Sequence, residues 1–314
     1  MRIAVMGAGG TGGYFGGLLA RKGEDVTLIA RGTQLGAILA NGLTVRSRLA
    51  GDFTIPIPIT GDAPEVGAVD LVLFCVKTYD AAAAAAQLVP LIGPETAVLP
   101  LLNGVDHIDL LARAVGAEHV LGGVAFVTAN VTAPGVIVQS GGPGQVLLGE
   151  LDGRSTPRAE RVAATLRRAG AATEIPPDIR RAMWEKFLFI CGFSGVTALT
   201  RLPIGNVFAQ DQTCDLLAGV MAETAAVAQA AGISLPPEVV GEAMRIAREF
   251  EPWASGSMAH DLTRGNRLEL DALNGSVVRL GHERGVPTPL NFALYAALAP
   301  FVDGTPKLAQ PPEV

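Results

Sequence analysis

Apolar positions run in two distinct rhythms along the chain. In the first half, short β-branched blocks alternate with longer Ala/Leu-rich segments. Arg2–Met6, Val26–Ala30, Leu71–Val76, Ala97–Leu101 and Val120–Val127 have the continuous apolar character of strands buried on both faces of a mainly parallel sheet. Tyr14–Lys22, Asp80–Leu88 and His107–Val115 lie between them as crossover helices. The alternation predicts a doubly wound α/β unit. Val136–Gln139 and Gln145–Gly149, on either side of Gly141-Gly142-Pro143-Gly144, are expected to form a hairpin that extends this sheet in antiparallel fashion. A helix over Thr156–Ala169 and a strand over Ala172–Ile175 close the unit.

Pro176-Pro177-Asp178 then punctuates the chain, and the rhythm becomes helical from Arg180 to about Phe301, with Gly/Pro turns between segments. The fold expected is α/β: an N-terminal Rossmann-type doubly wound sheet over 1–176, a C-terminal all-helical domain over 177–303, and a loose, Pro-rich tail over 304–314.

Composition narrows the function. Hydrophobic residues make up 49% and charged residues 17% of 314 residues, enough apolar material for two real cores. A net charge of -6 without a basic run points away from nucleic acid and anionic membranes. Gly, Pro or a charge interrupts each apolar stretch before 18 residues, so no membrane span is expected. Three separated cysteines (Cys75, Cys191, Cys214) suit free thiols in a reducing cytoplasm, and four scattered histidines suggest no metal centre.

The first candidate site is Gly7-Ala8-Gly9-Gly10-Thr11-Gly12, placed directly after the first strand and opening a helix. In that position the three spaced glycines give a tight turn, close backbone approach to a pyrophosphate, and close helix–strand packing. The helix N-terminus offers N–H groups to the phosphates. Arg31 stands at the end of the second strand, where an acidic residue would accept the ribose hydroxyls of NAD. A guanidinium there suits the 2′-phosphate of NADPH instead. Lys77 and Asn103 follow two further strands at their carboxyl ends, the edge at which such sheets bind ligands; as isolated letters both also fit ordinary surface or turn positions.

The second candidate region is the helix Arg181–Ile190, with Asp178 as its cap. Lys186 sits on it among Phe187, Leu188, Phe189 and Ile190. Such a lysine either snorkels its ammonium to the surface or faces a cleft, where desolvation lowers its pKa and makes it a usable acid. Ser257 precedes a helix-like run containing Arg267–Gly275, and from pattern alone it reads as a helix cap, with Glu269 and Asp271 as solvated charges beside the stripe Leu270, Leu273, Val277, Leu280.

The ordered set closely resembles the ketopantoate reductase (2-dehydropantoate 2-reductase) family over roughly 1–301. It comprises Gly7-x-Gly9-x-x-Gly12, Arg31, Cys75-Val76-Lys77, Leu102-Asn103-Gly104, Trp184-Glu185-Lys186-Phe187, Ser257-Met258 with Asp261, Glu269-x-Asp271-x-x-Asn274-Gly275 and Gly285-Val286-Pro287-Thr288-Pro289. The resemblance implies an active site in the cleft between the two domains. There Lys186 polarises and protonates the C2 carbonyl of a small 2-oxo acid while NADPH delivers hydride, in the route to pantothenate and coenzyme A. It implies that Asn103 positions the nicotinamide side and the reacting oxygen. By the same carry-over Ser257 holds the substrate carboxylate, Glu269 accepts from its hydroxyl, and Arg31 and Lys77 flank the 2′-phosphate. Three positions depart from the family pattern, since Ile190, Ser194 and Ala254 replace asparagines that face the substrate. A paralogue reducing another 2-oxo acid and a non-catalytic NADPH-binding regulator are the alternative readings. The apolar helical half is compatible with a homodimer.

Overall fold

The computed structural model describes residues 1–306; residues 307–314 of the expected tail lie outside the described residues. The strands are β1 (Arg2–Met6), β2 (Asp25–Ile29), β3 (Leu43–Ser47), β4 (Phe53–Ile55), β5 (Ile59–Thr60), β6 (Leu71–Phe74), β7 (Ala97–Pro100), β8 (Gly122–Ala133), β9 (Val136–Gly149) and β10 (Ala172–Glu174). The first six helices are α1 (Gly10–Arg21), α2 (Gly32–Asn41), α3 (Ala81–Ala85), α4 (His107–Val115), α5 (Pro157–Arg168) and α6 (Ile179–Thr200). The others are α7 (Ile204–Phe208), α8 (Asp211–Ala230), α9 (Val239–Glu249), α10 (Ser257–Thr263), α11 (Ser276–Arg284) and α12 (Pro289–Leu298), with a π-helical turn at Asp271–Gly275. The chain divides into two compact units at Met183/Trp184, inside α6.

In the first unit, β5-β2-β1-β6-β7 form an all-parallel sheet. Its two faces are covered separately. Ala4, Met6, Val72 and Phe74 pack with Ala84, Leu88 and Leu111 from the α3–α4 side. Ile3, Val5, Leu71 and Leu73 pack on the other side with Phe15, Leu19 and α5. Burial on both faces explains why these strands are continuous apolar runs.

A second sheet corrects the sequence expectation. Strands β10-β9-β3-β4 form it, with β8 paired antiparallel to β9. Val120–Val127 is therefore not a full strand of the parallel sheet, to which an isolated parallel bridge, Val98 to Val120, joins it. Nor does Gly141–Gly144 make a hairpin turn: β9 runs through it, with Gly142 and Gly144 at φ +71 and +65° and shifts of register against β8. The glycines accommodate irregularities in a long ribbon, and the turn joining β8 to β9 is Pro134-Gly135, with Gly135 at φ +78°.

Helix α1 is held between the sheets by its small face. A Cβ on Gly16 would lie 3.1 Å from Leu28 and Val5 of the first sheet, and one on Gly17 would lie 3.0 Å from Val45 of the second. Larger residues would push the layers apart.

Among the described residues the second unit is built of helices joined by irregular segments. Asp178 accepts the Arg181 N–H at 3.0 Å, the cap expected for α6. By length and composition α6 could cross a bilayer, but most of it is buried within the protein, as in a core helix. Asn274, fully buried, ties the π-helical turn to α6 by donating to the Cys191 carbonyl at 3.2 Å, and to α12 through Asn291 at 2.9 Å. Glu223 of α8 accepts the Leu290 and Asn291 N–H groups at the start of α12, at 2.8 and 2.9 Å.

Candidate active site

The strand order brings four predicted positions into line. Arg31, the Gly7–Gly12 turn, Lys77 and Asn103 follow the carboxyl ends of β2, β1, β6 and β7, which are successive neighbours in the sheet. At about 4.8 Å per strand the line spans roughly 14 Å, a length suited to a dinucleotide laid across one sheet edge.

The glycines play different parts. Gly7 has φ +101°, and a Cβ there would be 3.0 Å from the Val76 nitrogen, so neither conformation nor space admits a side chain. A Cβ on Gly12 would fall 2.0 Å from the Gly7 carbonyl oxygen, and one on Gly10 would fall 1.9 Å from the Ala129 oxygen. Gly9 differs: no atom lies within 4 Å of its Cβ direction. An open place for a side chain, at the uncapped N-terminus of α1, is a cradle kept clear for a ligand. The residues present therefore fit a bound dinucleotide. Ala8 is buried in the turn, and Thr11 lies half-buried in the first turn of α1.

Sequence patterning did not single out Gln34 of α2. Its side-chain amide donates to the Ala8 carbonyl at 2.8 Å and its carbonyl accepts the Gly135 N–H at 2.9 Å, joining the glycine turn to the β8–β9 turn. Arg31 is exposed and paired with Asp80 at 2.8 Å. Lys77 is exposed at the head of the short turn Thr78–Asp80, and Asn103 is half-buried beside Gly104, whose φ is +85°.

The second unit brings Lys186 and Glu269 together. Lys186 is half-buried on α6, with Phe187 and Leu188 buried next to it. Desolvation pulls its pKa down from 10.5 to about 8, against the opposing pull of the Glu269 carboxylate. Glu269 is only 6% exposed, so it is no solvated surface charge. It stands in the irregular segment just before the π-helical turn, outside the helix expected there, while Asp271 of that turn is exposed and accepts the Tyr295 hydroxyl at 2.9 Å. A buried carboxylate acting on a partly desolvated ammonium is a costly arrangement that clusters at functional sites.

Ser257 is the first residue of α10 and exposed, and the cap position before it is Gly256, so Ser257 is not the helix cap that its pattern suggests. The chain before it rests on α6: Gly256 donates to the Thr197 hydroxyl at 3.1 Å, and a Cβ on Gly256 would meet the Ser194 hydroxyl at 2.2 Å. Ser194 is thus buried beneath the segment leading to Ser257. Phe189 stacks on Phe250 with ring centroids 5.7 Å apart and Phe193 packs tilted against it at 4.9 Å, so an aromatic cluster flanks Ile190 on this helix. Burial raises the pKa values of the Cys75 and Cys191 thiols, which keeps them protonated and unreactive.

A parallel sheet whose carboxyl edge presents this cradle, in a chain that also carries a partly desolvated lysine under the field of a buried carboxylate, defines a nicotinamide-nucleotide oxidoreductase of the Rossmann class. Residues 3–153 match the family model described as Ketopantoate reductase PanE/ApbA, and residues 178–301 match its C-terminal counterpart. The chain belongs to the ketopantoate reductase family. A 2-dehydropantoate 2-reductase of Halobacterium salinarum is 33% identical over 295 residues, covering 92% of this chain and 95% of that protein. The crystal structure of a PanE/ApbA family ketopantoate reductase from Ralstonia eutropha is 36% identical with a TM-score of 0.88, covering 96% of this chain and 98% of that one. The ternary structure of D-mandelate dehydrogenase with NADH and anilino(oxo)acetate is 26% identical with a TM-score of 0.86, at the same coverages.

Proposed function

We propose that this protein reduces the C2 carbonyl of ketopantoate to pantoate with NADPH, the step that serves pantothenate and coenzyme A synthesis. The observation that carries the reading is the buried Glu269 acting on Lys186. When bound, the nicotinamide supplies the hydride for C2. Gly7 to Gly12 and the α1 N-terminus hold the pyrophosphate, Asn103 positions the nicotinamide side, and Arg31 and Lys77 favour a 2′-phosphate. Arg31 matters here because the mandelate dehydrogenase relative holds NADH, so the preference depends on local charge.

Lys186 donates a hydrogen bond to the carbonyl oxygen, which makes C2 more electrophilic, and passes its proton to that oxygen as charge develops. With a pKa near 8 it is mostly protonated at neutral pH yet gives up the proton more readily than an ordinary lysine. Ser257 holds the substrate carboxylate, and Glu269 accepts from the substrate hydroxyl. A buried carboxylate left without that hydroxyl costs about 1–3 kcal/mol or more, so ketopantoate exceeds 2-oxoisovalerate in kcat/KM by at least about 10-fold.

A second reading has its own support. Ile190 and Ala254 offer no side-chain hydrogen bond, Ser194 is buried, and the Phe189–Phe193–Phe250 cluster is apolar, which favours a less polar 2-oxo acid. NADPH absorbance followed against ketopantoate, 2-oxoisovalerate and aromatic 2-oxo acids separates the two, because only the first reading ranks ketopantoate highest. We further propose a cytoplasmic enzyme acting on a small molecule, as a homodimer, with neither nucleic acid nor membrane as partner.

A further inference from the structure

Arg31, the residue that would distinguish the two nicotinamide nucleotides, is engaged by a carboxylate. Its guanidinium Nη2 lies 2.8 Å from Asp80 Oδ2, with the arginine side chain 75% exposed and the aspartate 31%. Asp80 closes the turn that begins at Lys77, and its N–H donates to the Lys77 carbonyl at 2.9 Å. One short turn at the carboxyl end of β6 therefore presents a cation and an anion, three positions apart by number, next to the end of β2.

We propose that Asp80 is a specificity-determining residue for the nucleotide, moderating the NADPH preference and keeping NADH usable. The inference rests on the reading that Arg31 recognises the 2′-phosphate. Three properties of the pair lead to it. An exposed ion pair is weak, so a ligand can break it at small cost. A 2′-phosphate carries between one and two negative charges at neutral pH, and it must approach Arg31 while a carboxylate already sits against the guanidinium. Repulsion between the two anions and loss of the ion pair both count against NADPH. A bare ribose brings no such charge: its 2′-hydroxyl donates to Asp80, which supplies the acceptor that an acidic residue at the end of β2 would otherwise give. Arg31 then remains neutralised instead of facing an uncharged ribose.

The test measures dissociation constants of NADPH and NADH with the full-length protein, from nucleotide fluorescence, for the parent, Asp80→Asn, Asp80→Ser and Arg31→Ala. Melting temperatures identify folded variants, and the Asn and Ser variants check one another. Removing the carboxylate is expected to tighten NADPH about 5-fold and weaken NADH about 2-fold, widening their ratio by about 10-fold, which corresponds to about 1.4 kcal/mol. Arg31→Ala is expected to weaken NADPH by at least about 10-fold. If the ratio is unchanged without the Asp80 carboxylate while Arg31→Ala weakens NADPH, this proposal is overturned and the role of Arg31 stands. Weaker NADPH binding without the carboxylate would show that Asp80 orients Arg31 for the phosphate, and also overturns it. If Arg31→Ala leaves NADPH binding intact, the Arg31 reading and this proposal fall together.

Discussion

Glu269→Gln removes the negative charge that opposes desolvation at Lys186 while keeping nearly the same side-chain volume. In the parent, desolvation outweighs Glu269 and the lysine rests at about 8 instead of 10.5. An opposite charge at close range shifts a pKa by about 1–3, and the lower end applies to a half-buried lysine. The variant should therefore bring Lys186 to about 7 or below, each such step costing the ammonium about 1.4 kcal/mol. At pH 8 its protonated fraction falls from about one half to about one tenth. The assay is kcat/KM across pH 6 to 9.5 with 2-oxoisovalerate, which lacks the hydroxyl that Glu269 is proposed to bind, so that the profile reports Lys186 alone. A reductase that needs a protonated lysine loses rate as pH rises through this pKa. The basic limb should stand near pH 8 in the parent and move at least about one pH unit lower in the variant. A limb in the same place for both proteins would refute the electrostatic coupling of Glu269 to the acid.

Other consequences follow from the same geometry. Because its folded pKa is depressed, the Lys186 ammonium costs stability at neutral pH; in a Glu269→Gln background, where no buried carboxylate is left without its cation, Lys186→Met should stabilise the fold by about 1–2 kcal/mol at pH 7, after discount for partial exposure. That gain should shrink between pH 8 and 10.5, where the folded lysine has lost its proton and the unfolded one has not, and denaturant unfolding at pH 7 and 10 measures it. Gly9→Ala should leave the melting temperature nearly unchanged, since open space surrounds the new methyl group, but should weaken NADPH binding at least about 10-fold in titration. Gly12→Ala should damage folding itself, with a lower melting temperature, because its Cβ falls 2.0 Å from a backbone oxygen.

The parallel sheet was legible because burial on both faces writes continuous apolar runs: Arg2–Met6 and His107–Val115 have the bounds expected from the pattern. The second sheet was not. Its strands β3 and β4 are short, as is β5 at the edge of the parallel sheet, and Pro56 and Pro58 interrupt the stretch between β4 and β5, so no period of two builds up. Glycines 141–144 carry turn chemistry but serve a ribbon that continues through them, while Pro134-Gly135 carries the real turn with weaker flanking pattern. At the site, the glycine turn was legible from spacing and position. The burial of Glu269 was not, because it is created by packing of an irregular segment and not by any helical stripe. Asp80 and Gln34 were invisible for a related reason: their partners lie 49 and 26 positions away by number, and nothing local marks them.

In the proposed reaction, hydride goes to C2 of a 2-oxo acid while Lys186 supplies the proton to its oxygen. The direct measurement incubates NADPH deuterated at the transferable C4 position with ketopantoate and follows deuterium at C2 of the product by mass spectrometry, for the parent and for Lys186→Ala. The parent should yield pantoate carrying one deuterium at C2, and Lys186→Ala should slow its formation about 100-fold or more while NADPH binding in titration stays unchanged. Deuterated product formed at a near-parental rate by Lys186→Ala would contradict the claim.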